Sequence, residues 1–383
     1  MLDVQCSMFP PSLLPLMRGS AQKSSLVLAP TEEVIFHGAV NTPLITPPLP
    51  IPVNETAPNW RQIVKKYQQP CLKKSSWQIV NSMGPYIALW GVMYFTVSFS
   101  WPLTLALATL AGLFLVRVFI IFHDCGHGSF FRNKKANKTV GFISGLMTLT
   151  PFRHWTWQHA VHHGTSGNLD HRGVGDVWTM TVKEYQAAPL WLRVQYRLTR
   201  NPFILFVLGP LGLFIVYQRF AYKIASRRDR MDVYKMNACI ALYAVAMSLI
   251  FGFWNFLWIQ LLITTVSGGA GIWLFYVQHQ FEDTYWRTGD EWDYTDSAMQ
   301  GSSFYRLPAI LNWFSGNIGY HHIHHLSSRI PNYNLKACHE SEPFFQQVPE
   351  LTLRSSIRSI QLRLWDEEAG KLVGYDVLKK SAH

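Results

Sequence analysis

Residues 102–127 read PLTLALATLAGLFLVRVFIIFHDCGH, an apolar run broken by one arginine and ending in His123-Asp124-Cys125-Gly126-His127. A helix of about 20 apolar residues crosses about 30 Å of hydrocarbon, so 102–122 fits a membrane span. The two histidines that follow are four apart and share a helix face. The stretch thus sets a candidate metal-binding pair at the end of a span, and the rest of the chain is read outward from it.

The 383 residues hold 49% hydrophobic and only 15% charged side chains, against about 25% charged in soluble domains. Phe, Trp and Tyr make up 14%, as expected of interfacial aromatic belts. The neighbouring run 79–99 is a second span joined to 102–122 by a tight link at Trp101 and Pro102. Residues 237–256 and 257–278 form another candidate hairpin, turning near Trp254 and Asn255. The shorter runs 139–151 and 202–217, interrupted by Gly and Pro, read as interfacial or half-buried helices.

The net charge of +11 raises nucleic acid as a partner, but the basic residues flank apolar segments and exclude that reading. Neither short turn carries Lys or Arg, which places both termini and the large loops on the cytoplasmic side. Residues 1–58, with ten prolines, are expected to be a disordered tail. Its short apolar stretches make no signal peptide, and Asp3, Glu32 and Glu33 speak against a transit peptide. Residues 59–78 are expected as a juxtamembrane segment, 79–345 as the membrane domain and 346–383 as a cytoplasmic tail. Five scattered cysteines without a CxxC point to a reducing compartment.

The fifteen histidines cluster. After His123 and His127 come His159-Ala-Val-His162-His163 and then His321-His322-Ile323-His324-His325, while His279 ends the last apolar run. HxxxH and HxxHH bring imidazoles to one point, and neutral imidazole binds iron, zinc or copper. Eight box histidines with His279 make nine ligands, too many for one ion, so a two-metal centre is the economical reading. All lie on the expected cytoplasmic side.

Residues 80–340 resemble the membrane fatty-acid desaturases, whose boxes HxxxH, HxxHH and HxxHH are matched by His123/His127, His159/His162/His163 and His321/His324/His325. The run from His123 to Phe130 is similar to box one of the acyl-lipid branch. The resemblance implies an all-α membrane fold of four transmembrane helices capped by a cytoplasmic helical domain that holds two iron ions. It also implies O2 as co-substrate and dehydrogenation of an unactivated acyl chain. His279 takes the place of the family's further histidine. Asn317, four residues before His321, is carried over as a water-mediated ligand. His322 departs from the pattern, though the register favours His321 as the ligand.

No HPGG haem motif is present, so electrons are expected from a separate carrier, ferredoxin or a free b-type cytochrome. The expected substrate is an acyl lipid in the bilayer, with methyl-end-directed chemistry near carbon 12. The expected membrane is a bacterial inner membrane or that of a plastid or the endoplasmic reticulum, with the metals on the cytoplasmic or stromal face. An acyl hydroxylase, ketolase or acetylenase shares the boxes. A metal transporter, the reading from another class, predicts ligands in mid-span.

Around the boxes, Asp124 either orients a ligand imidazole or caps a helix. Asp170, with His171, Arg172 and Asp176, supports ligands, meets a headgroup or forms a solvated loop. Gly268, Gly269 and Gly271 admit an acyl chain or a packed helix, and Trp273 and Tyr276 line a tunnel or belong to the ordinary core.

Overall fold

The computed structural model describes residues 59–380, and the expected tail 1–58 lies outside them. Among the described residues three helices are both long and apolar enough to cross a membrane: Trp101–Gly126, Arg227–Phe251 and Phe253–His279. The first of these runs without a break through box one, so His123 belongs to the same rod as the apolar run. Ser100 starts it, accepting from the Leu103 N–H, and Pro102 follows in the first turn, where its missing N–H costs nothing.

The second hairpin turns earlier than expected. Helix Arg227–Phe251 begins ten residues before 237, with the Ser226 hydroxyl accepting from the Asp229 N–H. The chain then reverses at Gly252, whose φ of 79° suits glycine. Trp254 and Asn255 are already inside helix Phe253–His279.

The run expected as the first span is helical over Leu72–Thr96 but is not among the three helices long and apolar enough to cross a membrane. Its polar side chains serve internal contacts instead: buried Thr96 shares a hydroxyl–hydroxyl hydrogen bond of 2.8 Å with Thr104 of the next helix. A fourth apolar crossing by composition is offered by Leu190–Thr199 and Ile204–Arg219, bent by 65°.

The long helices share one core, with Trp90, Met93, Ile121, Ile259 and Ile263 buried together. Helices Trp101–Gly126 and Phe253–His279 touch closely: a Cβ on Gly112 would lie 2.8 Å from Val266. Both run toward the same end, where each delivers a histidine.

Beyond that end lies a cap of short helices with two small sheets. Phe304–Arg306 pairs in parallel with Glu350–Thr352. Met180–Thr181, Leu364–Asp366 and Lys371–Val373 form the other sheet. Residues 346–380, expected as a tail, are therefore built into the cap: Leu364, Trp365 and Leu372 are buried.

Candidate metal centre

Four pieces of chain meet under the cap. His123 lies in the last turn of Trp101–Gly126, and His127 is its C-cap. Helix Phe152–Thr165 carries His159, His162 and His163. His279 is the last residue of Phe253–His279. The short helix His321–Leu326, buried along its whole length, carries His321, His324 and His325.

These nine histidines sort into two groups. His123, His127, His159, His163 and His324 form one, and His162, His279, His321 and His325 the other; within each, ligand atoms lie within 4.8 Å of one another. Either group can hold a metal ion. The structure thus brings together every box histidine and His279, with His123, His127 and His279 at the ends of long helices rather than at mid-length and the other six on shorter helices.

Hydrogen bonds fix several tautomers. The His123 Nδ1–H donates to Asp124 Oδ1 at 3.0 Å, that of His162 to Asp176 Oδ1 at 2.5 Å, and that of His279 to the Gly301 carbonyl at 3.0 Å. Each bond leaves Nε2 as a lone pair aimed inward. His123 Nε2 is 3.0 Å from His324 Nε2, and His279 Nε2 is 2.9 Å from His321 Nε2. Nε2 of His127, His162 and His325 is buried without a hydrogen-bond partner. Orphaned nitrogens converging in this way fit a bound cation, and the all-imidazole donor set suits a transition metal.

Burial, reinforced by neighbouring imidazoles, pushes His159, His163, His321, His324 and His325 well below the usual histidine range. They are held neutral, the form that ligates.

The residues around the groups divide clearly. Asp124 orients a histidine and is itself gripped through Oδ2 by the backbone and side-chain N–H groups of Asn332. The other orienting carboxylate is Asp176, one of the four residues of the segment after box two that the sequence offered as ligand supports, headgroup contacts or a solvated loop. Asp170, by contrast, accepts from the exposed Gly289 N–H. His322 faces away from the groups, with Nε2 3.0 Å from Nδ1 of His339. Asn317 stands in a left-handed turn, its Oδ1 accepting from Asn312 and its Nδ2 donating to the Asn332 carbonyl.

A cavity of about 190 Å³ descends from the histidines between the long helices. His123, His159 and His321 stand at its metal end, while Leu115, Phe119 and Leu213 are among its apolar walls. Gly271 lines it and has open space where a Cβ would be. Gly268 also lines it but is tightly packed, a Cβ lying 2.7 Å from Pro210, and Gly269 is a packing position alone, its Cβ 2.6 Å from the Phe206 carbonyl. Tyr276 is core, donating to the Ser359 carbonyl, and Trp273 donates to Tyr305. The lining aromatic on that helix is Phe275.

Residues 99–352 match the model of the family described as fatty acid desaturase. A Bacillus subtilis protein named "Fatty acid desaturase" is 47% identical over 82% of this chain and 90% of its own length. A Synechocystis protein named "sn-1 oleoyl-lipid 12-desaturase" is 26% identical over 86% of this chain and 95% of its own. The Arabidopsis thaliana "Omega-6 fatty acid desaturase, chloroplastic" is 27% identical over 60% of this chain and 51% of its own. With boxes, helices and matched length in agreement, this chain belongs to the fatty acid desaturase family, a family of oxidoreductases.

Proposed function

We propose that this enzyme introduces a cis double bond into a lipid-linked acyl chain, using O2 and two iron ions held by the nine histidines. The observation that carries the reading is the junction of two imidazole groups with an apolar cavity. Iron suits an imidazole-rich site with open positions, and when bound it supplies the oxygen activation that breaks unactivated C–H bonds. The protein's own part is placement. Asp124, Asp176 and the Gly301 carbonyl hold His123, His162 and His279 in their ligating tautomer. Asn317 is kept as a neighbour acting through water, since its Oδ1 has a second lone pair beyond the Asn312 bond. Leu115, Phe119 and Phe275 hold the chain extended and exclude water from it.

Electrons come from a separate carrier, ferredoxin or a free b-type cytochrome. A Synechocystis relative whose name carries "(ferredoxin)" favours the first, and the net charge of +11 attracts an acidic carrier. The cap and its metals face the cytoplasm or stroma, as the basic flanks of the apolar runs require. The regiochemistry carried forward is methyl-end-directed, near carbon 12, in line with the name of the Synechocystis relative.

The test is expression in a host lacking the activity, followed by gas chromatography and mass spectrometry of its lipids. New unsaturated chains that need oxygen, and that vanish in His159→Ala and His324→Ala, support the reading. Hydroxylated products point to the sister chemistry, and no product in cells containing folded, iron-loaded protein overturns the proposal.

A further inference from the structure

Charge is unevenly divided along this chain. Residues 59–169 carry eleven lysines and arginines but a single acid, Asp124. That acid is buried against His123 and Asn332. The segments that bear boxes one and two therefore present no exposed carboxylate. The fold gathers part of the positive charge beside box one. Arg132, Lys134 and Lys135 follow His127 closely in the chain and are exposed. The segment before the long helices folds back onto them: Arg132 donates to Gln69 Oε1 at 3.4 Å, and Ser75 donates to the Phe130 carbonyl. Lys74, exposed, lies over the Tyr333 ring, which in turn meets the Phe130 ring.

This patch borders a thinly covered edge of the metal centre. Every histidine of the four-membered group is buried, whereas His127, His159 and His163 of the five-membered group are half-buried. His159 stands at the cavity, but His127 and His163 are not among the cavity-lining residues. The chain beside these two is small. Gly128 follows His127, and on the box-two helix Ala160 and Gly164 share a face next to His163. All three small residues are exposed, and a Cβ on Gly128 or Gly164 would meet nothing within 4 Å. Nε2 of His127 is buried without a partner although the residue as a whole is half-buried, so its ring reaches from the metal group toward the surface. Beyond Gly164 the sign of the charge changes. Asp170 and Asp293 are exposed there, and Trp292, next to Asp293, donates to the Ser166 carbonyl at 2.8 Å.

We propose that the face over His127 and His163, flanked by Lys74, Arg132, Lys134 and Lys135, is the docking surface of a small acidic one-electron carrier, and that electrons enter through the five-histidine group. The inference rests on the reading above that electrons come from a separate carrier. The small residues let the redox group of the carrier approach a ligand ring. The basic patch draws the carrier in, and the acids beyond Gly164 repel the wrong orientation. Each docked carrier gives one electron to a ferric ion and leaves oxidised, so two visits bring both ions to the ferrous state. Anionic headgroups are attracted by the same lysines, but they have no use for a thin cover over a metal ligand.

The experiment titrates a purified acidic [2Fe–2S] ferredoxin into the iron-loaded full-length protein in micelles, by calorimetry at about 50 and about 300 mM salt. Stopped flow then follows anaerobic reduction of the iron by the reduced ferredoxin. Kd should rise about tenfold between the two salts. Ala160→Glu, and Lys134→Glu combined with Lys135→Glu, should weaken binding and slow reduction about tenfold, while Ala160→Lys strengthens binding. Lys183→Glu, at an exposed position of the cap paired with Glu368, should change neither and so separates this face from net charge. Box-one and Ala160 variants without effect, or an equal loss in Lys183→Glu, overturn the docking face while the carrier reading stands. Lysine variants that lose binding of dihexanoyl phosphatidylglycerol but keep that of ferredoxin make this a headgroup surface and also overturn it. Iron that dithionite reduces but ferredoxin neither binds nor reduces brings down the carrier reading as well.

Discussion

Asp176 Oδ1 lies 2.5 Å from Nδ1 of His162, and both side chains are buried. The bond ties the loop after box two to the centre of that box and leaves Nε2 of His162 as the nitrogen open to a metal. Asp176→Asn frees the ring to flip or change tautomer, and metal affinity should fall about 10–100-fold. Iron retained after dialysis against graded chelator checks this. Asp170→Asn, at the exposed Gly289 turn, should leave the retention curve unchanged.

Adjacent histidines of box three should behave oppositely. His321 meets His279 inside a metal group, whereas His322 meets His339 outside both groups. His321→Ala should drop the iron content from two per chain toward one and abolish product. His322→Ala should keep two irons while costing stability, about 1–3 kcal/mol for the partner it leaves buried. Iron analysis with thermal melts separates the two outcomes.

The glycines of helix Phe253–His279 should separate chemistry from folding. Gly271→Leu projects into the open cavity and should shift the accepted chains to shorter ones with little change in Tm. Gly268→Ala drives a Cβ to 2.7 Å from Pro210 and should cost roughly 1–3 kcal/mol by overpacking. Product profiles and melts on the two variants test the pair.

Acid should destabilise the metal-free protein. Burial lowers His154 to about 4 and His322 to about 3, against about 6.5 in an unfolded chain. Below about 6.5 the unfolded chain takes up protons that the folded one refuses, so stability is full above that pH and declines as pH falls toward 4. Melts of the metal-free protein should give a lower Tm at pH 5 than at pH 7.5. An unchanged or higher Tm at pH 5 would contradict the burial of these rings.

The convergence of the histidines was legible in the sequence because helical spacing is local: HxxxH and HxxHH fix which rings share a face before any tertiary fact is known. His279 was legible from its place at the end of an apolar run. Asp176 was legible only as one of four polar residues offered as ligand supports, headgroup contacts or a solvated loop, because which of them serves depends on how a glycine-rich loop folds back over a helix, and no periodicity records that. The same limit hid the C-terminal strands: at three residues each they leave no alternation to read. The Gly252 turn was misplaced by a few residues because Trp254 and Asn255 looked like interfacial punctuation, while the positive φ needed for the reversal falls on the glycine.

The unbroken rod from Trp101 to Gly126 has a mechanical corollary. Its 26 residues rise about 39 Å at 1.5 Å each, and no hinge separates the lipid-facing part from His123. The distance of the candidate metal centre from the far end of the apolar run is set like a gauge block. A thicker or stiffer bilayer can tilt the whole rod, but it cannot slide the centre independently along the lipid tails.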